Sequence, residues 1–283
     1  MLAFIDVGSN SVRLLLNGKK TVINTRLSEK MLPGGNLLPE PMRRTAEAIF
    51  SLYSEAKTAG AETYVFATEA VRSAANRAEF EAILKNFGIN LDVLDSETEA
   101  YIGFIGAYCG DGETQAVLDV GGASSELAVG NGDGIVYFHS LPVGSVRMSD
   151  YSDDPLSRLS YARNRVKEYG SVPMFSRLIS IGGTSSSIVA IRDEVEPYDP
   201  NKIHGKVLTY ADIERVLEKI LSTPPHLRAE IKGLHPQKVN IIPAGCALFL
   251  AIMEYLNINE ITVSECDNLE GYGEILASRK TNG

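Results

Sequence analysis

The chain of 283 residues is 44% hydrophobic and 22% charged, which is typical of a soluble globular protein and excludes the disordered, collagen-like and membrane-spanning classes. At roughly 100 to 200 residues per domain, this length predicts two domains. The net charge of −9 disfavours broad binding of nucleic acid, so we expect any phosphate site to be local.

The start of the chain and its cysteines predict a cytoplasmic protein with no membrane partner. Asp6 follows the first apolar residues at once, and no basic stretch precedes it, so the pattern of a signal peptide is missing. The longest apolar run, residues 241–255, is shorter than the ~20 residues that a bilayer requires and predicts a core helix. Cys109, Cys246 and Cys266 lack metal-binding spacing, which favours reduced thiols.

The first predicted element is a hairpin. Residues 3–7 and 12–16 have the pattern of buried strands, and the polar turn GSNS at residues 8–11 joins them. The arrangement returns in the middle of the chain, where strands at residues 115–120 and 125–129 flank the turn GGAS. The repeat suggests two halves built on one plan.

Helices and strands alternate between and after the two hairpins. The predicted helices are residues 39–59, 77–87, 98–108, about 155–169, 184–191, 210–221, 244–255 and about 269–279. The predicted strands are residues 63–67, 91–94, 135–141, 178–181 and 260–263. This alternation predicts two α/β domains facing across a cleft, residues 1–112 and 113–283. The C-terminal helix, about residues 269–283, is a candidate to pack back on the first domain.

Both hairpin turns suit a phosphate ligand. Glycine allows close approach of the backbone, and consecutive amides of a turn form a concave anion site. Asp6 and Asp119 each lie close to the end of the strand before a turn, where a carboxylate can hold Mg²⁺ directly or through water. One such turn is usually only a turn, but two copies and a third glycine turn, IGGT at residues 181–184, favour a phosphate site.

These motifs resemble the Ppx/GppA family of exopolyphosphatases and guanosine pentaphosphate phosphohydrolases. The matching stretches, from Phe4 to about Gly273, are FIDVGSNSVRLLL, TRLSE, FATEAVRSAANRAEF, SETEA, AVLDVGGASSEL, LPVGSVR, ISIGGTSS and NIIPAG. The resemblance implies the two-domain actin-like ATPase fold of the acetate and sugar kinase, Hsp70 and actin superfamily, with duplicated ribonuclease H-like domains and an interdomain cleft. It also implies a homodimer, and a short form without the C-terminal HD-type domain.

The resemblance assigns roles to individual residues. Glu99 stands where the family has the general base for the attacking water. Asp119 and Glu126 would hold Mg²⁺, with Mn²⁺ as the alternative metal and Asp6 contributing through water. The implied phosphate ligands are Ser9, Asn10, Ser11, Arg72, Gly121, Gly122, Ser124 and Ser125. The expected reaction is in-line attack of water that releases terminal orthophosphate from inorganic polyphosphate, guanosine pentaphosphate or both.

The residues alone leave other interpretations open. Asp95, Glu97 and Glu99 precede a predicted helix, and such a cluster is more typical of helix capping than of catalysis. Arg72 lies near Glu69, which by itself is typical of a surface ion pair. Two other functions stay open: a non-catalytic sensor of polyphosphate or a guanosine alarmone, and an ATP-dependent small-molecule kinase of the same superfamily.

Four positions depart from the family pattern. Ala123 replaces a common third glycine, which we expect to be tolerated if its φ is negative. Tyr101, Gln237 and Leu269 stand where family members often carry arginine. The loss of these positive groups lowers the affinity that we expect for long polyphosphate chains.

Overall fold

The computed structural model describes residues 1–32 and 34–281, with the side chains of the last helix described as far as residue 277. The chain divides into two compact units. The first consists of Met1–Gly106 and the segment from Asn268 onward, and the second is Ala107–Asp267. Each unit contains one mixed sheet with helices packed against it.

The elements alternate as the sequence predicts. The strands are β1 (Leu2–Val7), β2 (Ser11–Leu16), β3 (Lys19–Asn24), β4 (Glu62–Ala67), β5 (Leu91–Val93), β6 (Gln115–Val120), β7 (Ser125–Asn131), β8 (Gly134–Leu141), β9 (Arg177–Ile181), β10 (Val207–Thr209) and β11 (Glu260–Val263). The α-helices are α1 (Pro39–Thr58), α2 (Glu69–Arg72), α3 (Arg77–Asn86), α4 (Ser96–Ala107), α5 (Ser145–Tyr151), α6 (Pro155–Arg165), α7 (Gly183–Arg192), α8 (Pro200–Ile203), α9 (Tyr210–Ser222), α10 (Ile242–Leu256) and α11 (Asn268–Thr281).

The sheet of the first unit has the strand order β3-β2-β1-β4-β5. Its first three strands are antiparallel neighbours, whereas β4 and β5 run parallel to β1. The central strand β1 is buried from Ala3 to Val7, which explains why its sequence is apolar apart from Asp6. The hairpin register places Asp6 directly opposite Arg13.

The sheet of the second unit repeats this plan. Its order is β10-β11-β9-β6-β7-β8, so that β8-β7-β6-β9-β11 corresponds to the five strands of the first sheet, with the same sequence of antiparallel and parallel pairs. The antiparallel β10 extends this sheet at the end beyond β11. In this hairpin the register places Asp119 directly opposite Glu126. The repeated order confirms the α/β fold and the two-fold repeat predicted from the hairpins.

The core of the second unit surrounds α10. Every residue of this helix from Ile242 to Met253 is buried, and the helix packs against α5, α6 and α9. The prediction of a core helix from the long apolar run is therefore confirmed. Across the described residues, 1–32 and 34–281, no helix has the length and apolarity needed to cross a membrane.

The last helix, α11, belongs to the first unit and packs against β1. The ring of Tyr272 stacks on Phe66 with the centroids 4.4 Å apart, and its hydroxyl donates to Asp92 Oδ2 at 2.9 Å. Leu269 is fully buried in the same cluster. One of the positions where the family often carries arginine is thus a core position in this chain.

The elements that the sequence pattern missed are short or lie at an edge. β3, with the sequence KKTVIN, is an edge strand with no clear apolar alternation. α2 has four residues, which is too short to show a helical period. The helix predicted at residues 155–169 ends at Arg165, and the chain continues as a 3₁₀ turn to Tyr169. These differences leave the positions of the hairpins unchanged.

Candidate active site

The two hairpin turns have the same backbone arrangement. In the first turn the Gly8 amide donates to the Ser11 carbonyl at 3.0 Å, and in the second the Gly121 amide donates to the Ser124 carbonyl at 3.0 Å. A β-carbon on Gly8 would lie 3.2 Å from the Ser11 oxygen, and one on Gly121 would lie 3.3 Å from the Ser124 oxygen. Each turn is therefore as tight as a glycine at its first position permits.

The carbonyls of both turns are held by the protein. The Asn10 carbonyl accepts from the amides of Thr25 and Arg26, both at 2.8 Å. The Gly122 carbonyl accepts from two amides at the start of α5, at 2.9 and 3.1 Å. Within the part of the chain that the structure describes, no group accepts a hydrogen bond from the amide of Asn10 or of Gly122. An anion-binding turn requires this arrangement, in which the carbonyls are bonded within the protein and amides are left to bind the anion.

The structure tests the expectations for two residues of the second turn region. Ala123 is fully buried and has no positive φ, so the condition for tolerating this departure is met. Ser125 is also fully buried, and its Oγ accepts a hydrogen bond from the Tyr169 hydroxyl at 2.9 Å. Successive strand residues point to opposite faces, so Ser125 lies across the sheet from Glu126. The geometry gives no support to a phosphate contact by Ser125.

Asp6 is ion-paired within the first hairpin. It is buried, and Arg13 donates to its Oδ2 through Nε at 3.1 Å and through Nη2. The two residues face each other across the hairpin, so the strand register itself forms the pair. Arg13 was not among the predicted site residues, although it belongs to the stretch FIDVGSNSVRLLL.

Asp119 and Glu126 occupy the equivalent positions of the second hairpin. They are direct cross-strand partners on one face of the sheet, and like charges at such positions repel each other. Ser140 on β8 donates to Glu126 Oε1 at 2.7 Å. The backbone of Gly182, with φ of +86°, comes so close to Asp119 that a β-carbon there would collide with the Asp119 Oδ1.

This pair fits the chemistry of Mg²⁺. Magnesium is usually bound by one or two carboxylates together with substrate phosphates and water, and two facing carboxylates supply that donor set. Residues 1–32 and 34–281 contain no group of three or more His, Cys, Asp and Glu side chains arranged around a metal position. The metal role of Asp119 and Glu126 stays a prediction.

The acidic cluster before α4 separates into a helix cap and a buried carboxylate. Asp95, which is exposed, accepts from the Thr98 amide at 2.7 Å through its Oδ1 and so caps the helix. Glu97 is also exposed, whereas Glu99 retains only 5% of its exposure. Helix capping accounts for Asp95 and leaves the burial of Glu99 to be explained.

Arg72 is the hydrogen-bonding partner of Glu99. Its Nη1 donates to Glu99 Oε2 at 2.6 Å and to the Leu94 carbonyl at 2.8 Å, and its Nη2 donates to Glu69 Oε2 at 2.8 Å. The side chain of Arg72 is 17% exposed, so this is no solvated surface pair. The structure thus brings together the predicted base and the predicted phosphate-binding arginine.

The guanidinium of Arg72 retains hydrogen-bonding capacity. It carries five N–H donors, and the three contacts to described residues use both hydrogens of Nη1 and one of Nη2. Its Nε–H and the second Nη2 hydrogen make no bond to any residue within 1–32 or 34–281. Arg72 can therefore hold Glu99 and a phosphate oxygen at the same time.

The surroundings of Glu99 raise its pKa to about 7. Burial is the largest cause, because it penalises the charged form of the carboxyl. The guanidinium of Arg72 opposes this rise, and the negative charges of Asp6 and Glu69 add to it. A carboxyl with a pKa near neutrality is suited to accept a proton from water at physiological pH.

Residues 8–272 of the chain match the model of the Ppx/GppA phosphatase family. The chain belongs to this family. Among curated relatives, exopolyphosphatase 2 of Mycobacterium tuberculosis is 29% identical over 98% of both chains. A guanosine-5'-triphosphate,3'-diphosphate pyrophosphatase of Aliivibrio fischeri is 27% identical, and the alignment covers 97% of this chain and 59% of that protein. A bifunctional 3-dehydroquinate synthase/phosphatase of Fusobacterium nucleatum is 29% identical over 95% of this chain, which spans 45% of that protein.

Solved structures of Ppx/GppA proteins share the fold. The Aquifex aeolicus family member superposes with a TM-score of 0.76 at 26% identity, covering 98% of both chains. An exopolyphosphatase from Cytophaga hutchinsonii superposes with a TM-score of 0.82 at 21% identity, covering 95% of both chains, and this likeness shows the fold alone. The predicted two-domain fold of the Ppx/GppA family is confirmed.

Sequence reasoning missed the residues that shape the site from outside its motifs. A β-carbon on Gly144 would lie 2.5 Å from the carbonyl carbon and oxygen of Gly122, so only glycine fits beside the second turn. At Gly182, which has a positive φ, a β-carbon would meet the side-chain Oδ1 of Asp119, so the carboxylate would have to move. Both glycines lie in stretches that match the family, LPVGSVR and ISIGGTSS, but the sequence could not show which atoms each one approaches.

Proposed function

We propose that this chain is a Mg²⁺-dependent phosphohydrolase that releases terminal orthophosphate from inorganic polyphosphate, from guanosine pentaphosphate, or from both. Membership of the Ppx/GppA phosphatase family makes it a hydrolase of phosphoanhydride bonds. The two substrate classes are suggested by the names of its relatives from M. tuberculosis and A. fischeri. The chain covers the whole of the first relative but little more than half of the second.

The observation that carries this proposal is the buried carboxyl of Glu99. Arg72 holds its Oε2, and among the described residues no group donates a hydrogen bond to Oε1. Oε1 is therefore the atom that accepts the proton as the water attacks the terminal phosphorus. The pKa of about 7 keeps a large fraction of Glu99 ionised at neutral pH and still basic enough to take that proton.

Each unit contains donors that are suited to a phosphoryl group. Phosphoryl transfer depends mainly on positioning and on neutralising charge. We assign these tasks to Arg72, through its Nε–H and second Nη2 hydrogen, and to the turns at Ser9–Ser11 and Gly121–Ser124, through amides such as those of Asn10 and Gly122. The remaining phosphate chain is the leaving group.

Asp119 and Glu126 are the proposed ligands of Mg²⁺, with Mn²⁺ as the alternative metal. When bound, the metal supplies positive charge to the phosphate oxygens of the substrate. The support for this assignment is the pair of facing carboxylates, which a cation relieves of mutual repulsion. Asp6 is held by Arg13, which limits its proposed contribution to a contact through water.

The test is phosphate release from triphosphate, long polyphosphate and guanosine pentaphosphate, each with Mg²⁺ and with Mn²⁺. We expect release from at least one substrate and a loss of about 10² to 10⁴-fold in Glu99→Gln. Glu97→Gln, an exposed neighbour on the same helix, is the matched control and keeps wild-type activity. Equal activity in Glu99→Gln contradicts the assigned base. Tight binding without turnover would indicate a sensor, and phosphate transfer from ATP to a small molecule would indicate a kinase.

We also propose that the protein acts as a cytoplasmic homodimer. The homodimer rests on family resemblance, and the cytoplasmic location is supported by three cysteines that form no disulfide in the structure. Analytical ultracentrifugation tests the dimer, since a sedimentation mass equal to one chain across the micromolar range would contradict it.

A further inference from the structure

Glu69 is the second carboxylate that holds Arg72. It begins the four-residue helix α2, whose last residue is Arg72, so the two side chains meet within a single turn. Arg72 Nη2 donates to Glu69 Oε2 at 2.8 Å, and the Glu69 side chain is 14% exposed. The motif FATEAVR contains Glu69, but the mechanism above gives this residue no task.

The guanidinium of Arg72 is fixed by three acceptors on two segments. Glu69 holds Nη2, whereas Glu99 and the Leu94 carbonyl hold Nη1. Since a guanidinium is planar, bonds at both terminal nitrogens fix its orientation and with it the direction of its two remaining N–H donors. Without Glu69, all the remaining contacts are at Nη1, and the plane can turn about them.

We propose, in an inference that rests on the proposed function, that Glu69 is a positioning residue. It orients Arg72 for the phosphoryl group, and it interacts with the positive charge of Arg72 alongside Glu99. The chemistry of the site supports this role. With Glu99 as its one carboxylate partner, Arg72 would direct its whole positive charge at the base. With Glu69 as a second partner, the ion pair between Arg72 and Glu99 is weaker. Glu69 thereby acts on catalysis through Arg72 and touches no reacting atom.

The charges around Glu99 set the direction of the effect. Arg72 favours its ionised form, whereas Asp6 on β1 and Glu69 on α2 favour its protonated form. Asp95, before α4, lies close enough to Arg72 for the two charges to interact. Removing the charge of Glu69 takes away one cause of the raised pKa of Glu99, so this pKa falls. Activity requires ionised Glu99, so the acidic limb of the pH profile of activity moves to lower pH.

The first experiment compares Glu69→Gln with wild type in steady-state phosphate release. We expect kcat/KM to fall by roughly 10-fold or more, because the neutral amide of glutamine holds Arg72 Nη2 more weakly than the carboxylate does and so orients Arg72 less firmly for the phosphoryl group. We expect the acidic limb of the pH profile of kcat to move to lower pH. Glu81→Gln is the matched control, since Glu81 accepts from Arg77 at 2.6 Å in a more exposed ion pair of the same unit. This control keeps both the rate and the profile of wild type.

A double-mutant cycle separates positioning from loss of stability. If Glu69 acts through Arg72, Glu69→Gln changes kcat/KM much less in an Arg72→Lys background than in wild type. Equal effects in the two backgrounds overturn the inference. A ¹³C NMR titration of the Glu99 carboxyl, with its signal assigned from its loss in Glu99→Gln, gives a readout without substrate. A lower Glu99 pKa in Glu69→Gln supports the inference, and an unchanged one overturns it.

The outcomes distinguish this inference from the proposed function. If Glu99→Gln abolishes phosphate release but Glu69→Gln behaves like Glu81→Gln, Glu69 has no positioning role and the proposed function stands. If wild type releases no phosphate from any of the three substrates, the proposed function is wrong and the role of Glu69 falls with it.

Discussion

The two hairpins differ in the residue that faces their aspartate. Both have a buried first strand with Asp as its second-last residue, a tight turn with glycine at its first position, and the same hydrogen bond across that turn. In the first hairpin Asp6 faces Arg13, and in the second Asp119 faces Glu126. One backbone plan thus carries an ion pair in one unit and a pair of like charges in the other.

The difference shows how a repeated fold acquires unequal chemistry. Asp6 and Arg13 carry opposite charges and attract each other across the first hairpin. Asp119 and Glu126 carry like charges at facing positions, an arrangement that a nearby cation makes more favourable. A single cross-strand position therefore decides which hairpin is suited to bind a metal.

The largest effect that we expect from this comparison is on folding stability. Asp6→Asn removes the carboxylate from Arg13 in a buried pair, and losing one partner of such a pair costs about 3 to 5 kcal/mol. Asp119→Asn removes one of two like charges that face each other, so its cost to the metal-free protein is expected to be smaller than that of Asp6→Asn. Urea unfolding in the presence of EDTA measures both.

An exposed ion pair of the first unit provides the control for this comparison. Glu47 pairs with Arg43, and both side chains are more than half exposed, so Glu47→Gln changes stability by less than about 1 kcal/mol. If Asp6→Asn and Asp119→Asn destabilise the metal-free protein equally, the two hairpins do not differ in the way that their registers indicate.

The second prediction concerns the energetic cost of Glu99 in the first unit. Its pKa of about 7 in the folded protein lies above the ordinary value of 4.5, so between these pH values the folded state keeps a proton that the unfolded state has lost. Wild type therefore loses stability as the pH rises through this window, by on the order of 3 kcal/mol in total. Glu99→Gln has no such loss.

The measurement is the stability of Glu99→Gln relative to wild type at pH 4.5, 6 and 8. We expect the free energy of unfolding of Glu99→Gln, relative to that of wild type, to increase steadily from pH 4.5 to pH 8. Glu97→Gln, an exposed neighbour, shows no such trend. Parallel pH curves for wild type and Glu99→Gln would show that burial imposes no cost on this carboxyl.

The hairpins and most helices could be predicted because each follows from a local pattern. Residues 3–7 and 12–16 differ from β1 and β2 by one residue at the start of each strand. The long helices have enough turns to show their period. β3 and α2 could not be found in this way, because an edge strand is only partly buried and a four-residue helix has no period.

The sequence predicts which types of residue form the site, but not which of them contact or face each other. Asp6 and Asp119 each begin a DVG motif at the end of an apolar run, and the strand register shows that one faces a cation and the other an anion. Arg72 and Glu99 are 27 positions apart, and their contact depends on packing between α2 and α4. Ser125 fits a phosphate motif by sequence, yet strand alternation turns it toward Tyr169.

The third prediction converts the second hairpin into the charge pattern of the first. Glu126→Arg places an arginine opposite Asp119, so we expect a cross-strand ion pair and no metal site. Mg²⁺-dependent phosphate release should fall by at least about 10²-fold, since the metal supplies several kcal/mol of charge stabilisation. Mn²⁺ binding followed by electron paramagnetic resonance should be lost as well. Retained metal binding in a folded Glu126→Arg would show that Asp119 and Glu126 are not the ligands.

The smallest expected effect tests whether Gly182 fixes the position of Asp119 in the second hairpin. Gly182 has φ of +86°, and its backbone leaves no room for a β-carbon beside Asp119. Gly205 has φ of +77° with open space around it, so Gly205→Ala carries only the backbone penalty of roughly 1 kcal/mol. Gly182→Ala carries the same penalty and also displaces the Asp119 carboxylate, so its cost should exceed that of the control, and it alone should weaken Mn²⁺ binding. Equal stability and equal Mn²⁺ affinity in the two variants would mean that the position of Asp119 does not depend on Gly182.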